Sequence, residues 1–120
     1  MKNYKELIIW QKGIDIVKKI YALTKQFPSE EKFGIVSQIT RAAISIPSNI
    51  AEGSSRNSDK DYARFLQISL GSAFEVQTYL TIAKEMGWTR NEGIIEVELL
   101  LAEEIKMLHR FINTLNKANS

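Results

Sequence analysis

Residues 36–53 read VSQITRAAISIPSNIAEG, and this stretch decides the fold. Its apolar residues recur at alternating intervals of three and four, which is the spacing of one face of an α-helix. The line passes through Pro47 without a change of phase, although a proline inside a helix costs about 3 kcal/mol. We therefore predict a single helix that is kinked at Pro47 rather than broken there. The apolar line consists of Val36, Ile39, Ala43, Ile46 and Ile50.

A second, polar line runs along the same helix, about 125° around it from the apolar line. Solvation alone is one explanation of such a face. Serine and asparagine are poor helix formers, however, and a face that meets only water would more readily carry lysine, glutamate and glutamine. We therefore interpret this polar stripe as a contact surface for a neighbouring subunit or a ligand. It consists of Gln38, Arg41, Ser45, Asn49, Glu52 and Arg56.

Three further segments have helical periodicity, and no strand-like alternation competes with it. Pro28 interrupts the first segment, Ser58 and Asp61 resemble a capping box that opens the third, and Gly87 is suited to end it. Short links between long helices predict an all-α, antiparallel, up-down-up-down four-helix bundle, with residues 1–120 forming one domain. The predicted helices cover residues 7–27, 30–54, 59–87 and 90–117.

The apolar lines also predict which residues form the core. In the first helix the line is Leu7, Trp10, Ile14, Val17 and Tyr21. In the third it includes Tyr62, either Phe65 or Leu66, and then Ala73, Val76, Leu80 and Ala83. In the last helix it is Ile94, Val97, Leu101, Ile105, Leu108, Ile112 and Leu115.

The last helix has more apolar residues than a single line requires. Either the excess widens the core stripe or it covers a neighbouring subunit. The additional residues are Leu99, Leu100, Met107 and Phe111.

Composition limits the functional classes. The chain has no cysteine, which excludes disulfides, thiolate metal sites and cysteine nucleophiles and fits a reducing compartment. The N-terminus has only a short apolar run, so we expect a cytoplasmic protein without membrane contact. The formal net charge of +2 is too small to indicate nucleic-acid binding by itself.

No constellation of catalytic or metal-binding residues is evident. A di-iron bundle needs two Glu-x-x-His pairs, whereas the single histidine, His109, has Lys106 three residues before it. The glycines stand apart, so there is no phosphate-binding loop. We predict no metal, no cofactor and no enzymatic activity. A hydrolase centred on Glu52 would need a deep pocket with carboxyl groups of shifted pKa.

Basic residues gather where the second predicted helix gives way to the third. Arg56, Lys60 and Arg64 follow one another there, with Tyr62 and Phe65 beside them, a composition suited to phosphate binding. Two aspartates interrupt this group, and charged residues at a helix start are often simply solvated, so both interpretations stay open. The leading candidates for nucleic-acid contact are Arg41, Arg56, Lys60 and Arg64, followed by Lys12, Lys18 and Lys19.

Two long segments resemble a known family. They are WQKGIDIVKKIYALTKQFPSEE, residues 10–31, and SQITRAAISIPSNIAEGSSRNSDKDYARFLQISLGSAFEVQTYL, residues 37–80. Both are similar to bacterial four-helix-bundle proteins encoded in intervening sequences of 23S ribosomal RNA genes. The resemblance covers roughly residues 4–88. The chain departs from the family at Gly13, where alanine is usual, and at residues 35–36, where a glycine-leucine pair is usual.

The resemblance implies a left-handed antiparallel bundle that assembles into barrel-like pentamers. A related group, the accessory variability determinant of diversity-generating retroelements, is a pentameric bundle that binds a reverse transcriptase and nucleic acid. The family's link to ribosomal RNA is genetic and does not establish a ribosomal role, and no catalytic residues carry over. We predict a non-enzymatic homo-oligomer, a pentamer, that binds RNA or a ribonucleoprotein partner. The alternative is a protein-binding adaptor or scaffold without nucleic-acid contact.

Overall fold

A computed structural model describes residues 3–118, in which the chain forms four α-helices and two short 3₁₀ turns without any strand. They pack into an elongated body of 46 × 22 × 22 Å. The predicted all-α four-helix bundle is confirmed, while the first two and last two residues of the predicted domain lie outside the described residues. The helices are α1 (Ile8–Thr24), α2 (Ile35–Ser54), α3 (Asp59–Glu85) and α4 (Asn91–Ala118), and the 3₁₀ turns are Tyr4–Glu6 and Ser29–Glu31.

Local sequence signals explain where α3 begins and ends. The Oγ atom of Ser58 accepts a hydrogen bond of 3.1 Å from the backbone N–H of Asp61, as in the predicted cap. After the helix, Gly87 has a φ of 73°, a conformation that glycine adopts without the strain of a side chain. The start of α2 differs from the prediction, because Ser29–Glu31 form a separate 3₁₀ turn and the α-helix begins only at Ile35.

Helix α2 is continuous through Pro47, and its predicted apolar line faces the core. The kink at Pro47 stays a prediction. Four members of the line are fully buried, namely Ile39, Ala43, Ile46 and Ile50.

Helix α1 buries a different line from the predicted one. The predicted line is mostly half-buried, and its Tyr21 is 48% exposed. Both lines are apolar and have helical spacing, so periodicity cannot choose between them. The close approach of Gly13 to Pro47 on α2 turns the other line inward. The buried residues are Ile9, Gly13, Ile16, Ile20, Leu23 and Thr24.

Helix α4 buries its predicted line except at one position. Ile105 is only half-buried, and Glu104 is fully buried. Three of the four excess apolar residues pack against the core, whereas Leu99 is 63% exposed. That an excess residue covers a neighbouring subunit stays a prediction. The residues that widen the core are Leu100, Met107 and Phe111.

Each helix contacts the next along the chain, and α1 also contacts α4. Two ion pairs join these two helices: Lys12 to Glu103 at 3.1 Å, and Lys19 to Glu96 at 2.6 Å. The higher-numbered residue of α1 thus pairs with the lower-numbered residue of α4. The antiparallel up-down-up-down order of the four helices stays a prediction.

Candidate nucleic-acid interface

The basic residues of the α2–α3 turn are organised around one aromatic ring, that of Phe65 on α3. The guanidinium carbon of Arg56 lies 4.5 Å from the ring centroid, and that of Arg64 lies 4.9 Å from it. Both distances are within the range of a cation–π interaction. The ring thus holds two guanidinium groups together at the surface. We call Arg56, Lys60, Arg64 and Phe65 the arginine cluster.

Each of these two arginines also pairs with a carboxylate. Arg56 Nη2 lies 3.0 Å from Glu52 Oε2, and Arg64 Nε lies 3.5 Å from Asp61 Oδ1. Exposed pairs of this kind are worth about 0–1 kcal/mol, because water and salt screen them. Exchanging either carboxylate for a phosphate would therefore cost little.

Gly53, in the last turn of α2, sets the geometry of the arginine cluster. A Cβ atom at this position would lie 2.9 Å from Cδ1 of Tyr62 and 3.0 Å from Cβ of Phe65. The backbone N–H of Arg56 also donates a hydrogen bond of 3.0 Å to the Gly53 carbonyl. A glycine is required here because α3 approaches the end of α2 too closely for any side chain.

The core position beside the arginine cluster belongs to Leu66, not to Phe65. Leu66 is fully buried and Phe65 is half-buried, which settles the choice left open by the sequence. Tyr62 is half-buried as well and packs edge-on against Phe111, with ring centroids 5.1 Å apart. Burial raises the pKa of the Tyr62 hydroxyl. The sequence contains a signal for this choice, because Leu66 is followed at helical spacing by two further residues that are buried, Leu70 and Ala73.

Two of the other leading candidates differ in their relation to the cluster. Lys60 is exposed in the first turn of α3, four residues before Arg64, so the two lie on the same side of the helix. Arg41 is exposed on α2, eleven residues before Glu52, which separates them by about 16 Å along the axis. This position is the reason for counting Lys60 in the arginine cluster, whereas Arg41 lies outside the cluster.

The three lysines of α1 do not form part of the cluster. Lys12 and Lys19 lie on the α1–α4 seam, where they pair with Glu103 and Glu96. Lys18 is exposed on the outer side of α1.

The polar stripe of α2 divides into an exposed part and a part used within the chain. Asn49 Nδ2 donates hydrogen bonds of 2.9 Å to both the carbonyl and the Oγ atom of Ser45. The hydroxyl of Ser72 on α3 donates to the same Oγ atom at 2.8 Å. These hydrogen bonds join Asn49 to Ser45 within α2 and link α2 to α3 through Ser72. Gln38, Arg41 and Glu52 are the exposed members that precede Arg56.

A carboxyl group with a strongly shifted pKa lies inside the bundle. Glu104 has no exposed surface, and burial raises its pKa to about 8 against the opposing effect of the Lys12 charge. It was missed in the sequence because glutamate is rarely buried, although its position three after Leu101 and four before Leu108 is in phase with the core. Glu104 is buried on α4, whereas the hydrolase considered from the sequence was centred on Glu52, which is exposed on α2.

No three histidine, aspartate or glutamate side chains among residues 3–118 are close enough together to hold a metal ion. Nor does any helix in this part of the chain have the length and apolar character needed to cross a membrane.

Comparison with known proteins relates the chain to one family. The model of the family described as 23S rRNA-intervening sequence protein matches residues 5–110, which includes the whole α2–α3 turn. A crystal structure of a protein with unknown function from the S23 ribosomal protein family of Bacteroides thetaiotaomicron VPI-5482 is similar, with a TM-score of 0.81 and 26% identity. The match covers 88% of this chain and 96% of that chain. No curated protein matches the sequence.

Proposed function

The chain belongs to the 23S rRNA-intervening sequence protein family, and from this premise we propose that it is a non-enzymatic, homo-oligomeric bundle protein that binds RNA, free or within a ribonucleoprotein. The arginine cluster is the proposed contact surface. The observation that carries the proposal is that the guanidinium groups of Arg56 and Arg64 both contact the ring of Phe65.

The chemistry of the arginine cluster fits phosphate. A guanidinium group offers planar N–H donors that match two phosphate oxygens at once, and a ring beneath it reduces the freedom lost on binding. The side chains of Glu52 and Asp61, at 53% and 51% exposure, are accessible enough to be displaced. RNA presents phosphates in a continuous series, so it can engage Arg56, Lys60 and Arg64 together.

A single arginine cluster supplies too few charges for tight binding. Three neutralised phosphates give a weak affinity that falls with salt, by a slope of about 0.7–0.9 per phosphate on a logarithmic scale. Repetition of the cluster in a homo-oligomer multiplies these contacts within one particle. We propose a pentamer, following the family resemblance.

Exposed apolar residues on α3, at its C-terminal cap and on α4 support assembly. They are large side chains on the outside of the bundle, and their burial against a second copy of the chain would be favourable. Their exposed fractions are 48% for Phe74, 60% for Met86, 51% for Ile95 and 63% for Leu99.

A protein-binding adaptor without nucleic-acid contact is the second candidate function. It is favoured by an open, mainly apolar groove of about 470 Å³ between the start of α1 and the end of α4. Ile8, Met107 and Phe111 line it, and Ile8 is 59% exposed. In this alternative the exposed part of the polar stripe also contacts protein.

Titration of RNA at a series of salt concentrations tests the proposal. Structured and single-stranded RNA of equal length are compared by fluorescence anisotropy, with the particle mass measured by light scattering in the same buffers. The double variant Arg56→Ala with Arg64→Ala should weaken binding and lower the salt slope by about 2 per subunit engaged. The matched control, Lys106→Ala with Arg110→Ala, removes the same charge from exposed positions on α4 and should have a smaller effect.

Two results would reject the RNA proposal. One is the absence of salt-dependent binding to either RNA, which would leave the adaptor as the function to pursue. The other is an equal loss of affinity in both double variants, which would indicate a response to net charge rather than a site.

A further inference from the structure

A carboxyl group without a hydrogen-bond partner lies in the middle of the bundle. Glu104 of α4 has an exposed fraction of 0%, and neither of its Oε atoms has a hydrogen-bond partner. A bare carboxylate in such a place loses its hydration without compensation, which is among the most costly arrangements in a protein. The group therefore needs either a proton or a counter-ion.

Gly13 on α1 lies close both to this carboxyl group and to Pro47 on α2. A Cβ atom at Gly13 would lie 3.4 Å from Glu104 Oε2 and 3.2 Å from Pro47 Cβ. A Cβ atom at Gly13 would thus contact both the Pro47 ring and the carboxyl group, and the contact with the ring would be the tighter one. Pro47 also lacks the N–H that would otherwise bond to the Ala43 carbonyl, so the helix beside the carboxyl group is short of one hydrogen bond.

Among the described residues, the cation whose charge lowers the pKa of Glu104 is Lys12, the neighbour of Gly13 on α1. The Nζ atom of Lys12 pairs with Oε2 of Glu103, the residue before Glu104, at 3.1 Å. Its side chain is 23% exposed, so it lies at the edge of the core. Lys12 is therefore bonded to Glu103 while its charge also acts on Glu104.

Charged and polar groups of the other three helices that lie toward Glu104 have partners of their own. From α1, Lys19 is bonded to Glu96, eight residues from Glu104 or about 12 Å along α4. On α2, Pro47 approaches Gly13, and both Pro47 and its neighbour Ile46 are uncharged. The Ile46 carbonyl accepts a hydrogen bond of 2.9 Å from the hydroxyl of Ser69 on α3.

Two titratable groups of α3 also face α4, and they lie on opposite sides of Glu104 along the helix axis. Lys84 is bonded to Glu98, six residues before Glu104. Tyr62 packs on Phe111, seven residues after it. Each is therefore about 10 Å from Glu104 along the helix axis.

We propose that Glu104 is a proton-binding site in the packed bundle, and that loss of its proton is coupled to transfer of Lys12 from Glu103 to Glu104. In the protonated state the carboxylic acid is neutral, and Lys12 closes the α1–α4 seam through Glu103. On deprotonation the O–H bond breaks, the proton passes to solvent, and the carboxylate attracts the ammonium group inward. The seam then loses its Lys12–Glu103 pair beside Gly13 and Pro47.

The proposed transition falls in a physiologically relevant range. Burial raises the pKa of Glu104 to about 8, so small changes above neutral pH alter its protonation. The site is separate from the arginine cluster and does not depend on RNA binding. It makes the tightness of the α1–α4 seam a function of pH.

Carbon-13 NMR of the full-length protein with labelled glutamate tests the proton site. The Glu104 carboxyl resonance is assigned by its disappearance in Glu104→Gln. We expect its titration midpoint to lie near pH 8, several units above the ordinary value of 4.5 for a glutamate carboxyl group. A midpoint in the ordinary glutamate range would overturn the proposal.

Two lysine variants test the coupling, and they do not require a change at the buried position. Lys12→Met removes the cation that favours the carboxylate, so the Glu104 midpoint should rise. Lys19→Met, which removes the matched ion pair of the same seam, should leave that midpoint unchanged. If Lys12→Met does not move the midpoint, or if both variants move it equally, the coupling to Lys12 is wrong.

Discussion

The guanidinium carbon of Arg56, which lies beyond the end of α2, is 4.5 Å from the centroid of the Phe65 ring on α3. This contact spans the α2–α3 turn and brings a residue of the turn to a residue in the second turn of the following helix. Arg64 approaches the same ring at 4.9 Å, so a single side chain sets the positions of two cations.

Replacement of this ring tests whether it positions the arginines. In Phe65→Leu an apolar side chain of similar reach is kept but the π face is lost. We expect RNA affinity to fall severalfold, because each guanidinium loses about 0.5–1 kcal/mol of preorganisation at an exposed site. Fluorescence anisotropy measures the affinity, and thermal unfolding followed by circular dichroism verifies the fold. Tyr62→Phe is the control, since it keeps the neighbouring ring and should bind RNA like the wild type.

Two glycine substitutions should change stability in opposite directions. Gly53→Ala places a Cβ atom 2.9 Å from Tyr62 and should lower the free energy of unfolding by about 1–3 kcal/mol. Gly71→Ala meets no atom within 4 Å on the exposed side of α3 and should raise it by about 0.5–1 kcal/mol. Urea unfolding measures both. If alanine is tolerated equally at both positions, α3 does not approach α2 as closely as described.

How much of this architecture follows from sequence depends on how many apolar lines a helix has. Helix α2 has one apolar and one polar line, so its core residues and its continuity through Pro47 could be predicted. Helix α1 has two apolar lines, and the choice between them depends on the fit of Gly13 against Pro47, which no single-helix pattern contains. The buried Glu104 is in phase with the core, but its residue type argued against burial.

The candidate site was predictable in composition and not in arrangement. The group Arg56, Lys60 and Arg64 is visible as a basic run around a turn. Adjacent apolar residues, Phe65 and Leu66, compete for one core position, and only packing decides that Leu66 takes it. The ring of Phe65 is thereby left at the surface, where a residue nine positions earlier stacks on it.

Loss of the Asn49 side chain distinguishes an internal role of the polar stripe from a subunit contact. In Asn49→Ala, two hydrogen bonds to Ser45 disappear, and we expect the free energy of unfolding to fall by about 1 kcal/mol. The particle mass from light scattering should be unchanged, because the bonds lie within one chain. A smaller mass would instead identify this part of the stripe as a contact between subunits. Gln38→Ala, at an exposed member of the same stripe, is the comparison for stability and should change it little.

Glu104 should make the stability of the protein fall as pH rises. The ordinary pKa of this carboxyl group is 4.5, and burial raises it to about 8 in the folded protein. Between these two values the folded protein holds a proton that the unfolded chain has released. The free energy of unfolding therefore decreases with pH across this window, by at most about 1.4 kcal/mol per pH unit, and levels off above it.

Urea unfolding at several pH values within the window measures this slope in the wild type and in two variants. Glu104→Gln is neutral at every pH, so it should remove most of the slope and be more stable than the wild type at the alkaline end. Glu96→Gln removes an exposed carboxylate of the same helix that pairs with Lys19 and not with Lys12, so it should keep the slope. A stability that does not change through the window in the wild type would mean that Glu104 is already ionised inside the folded bundle, and it would contradict the proton site.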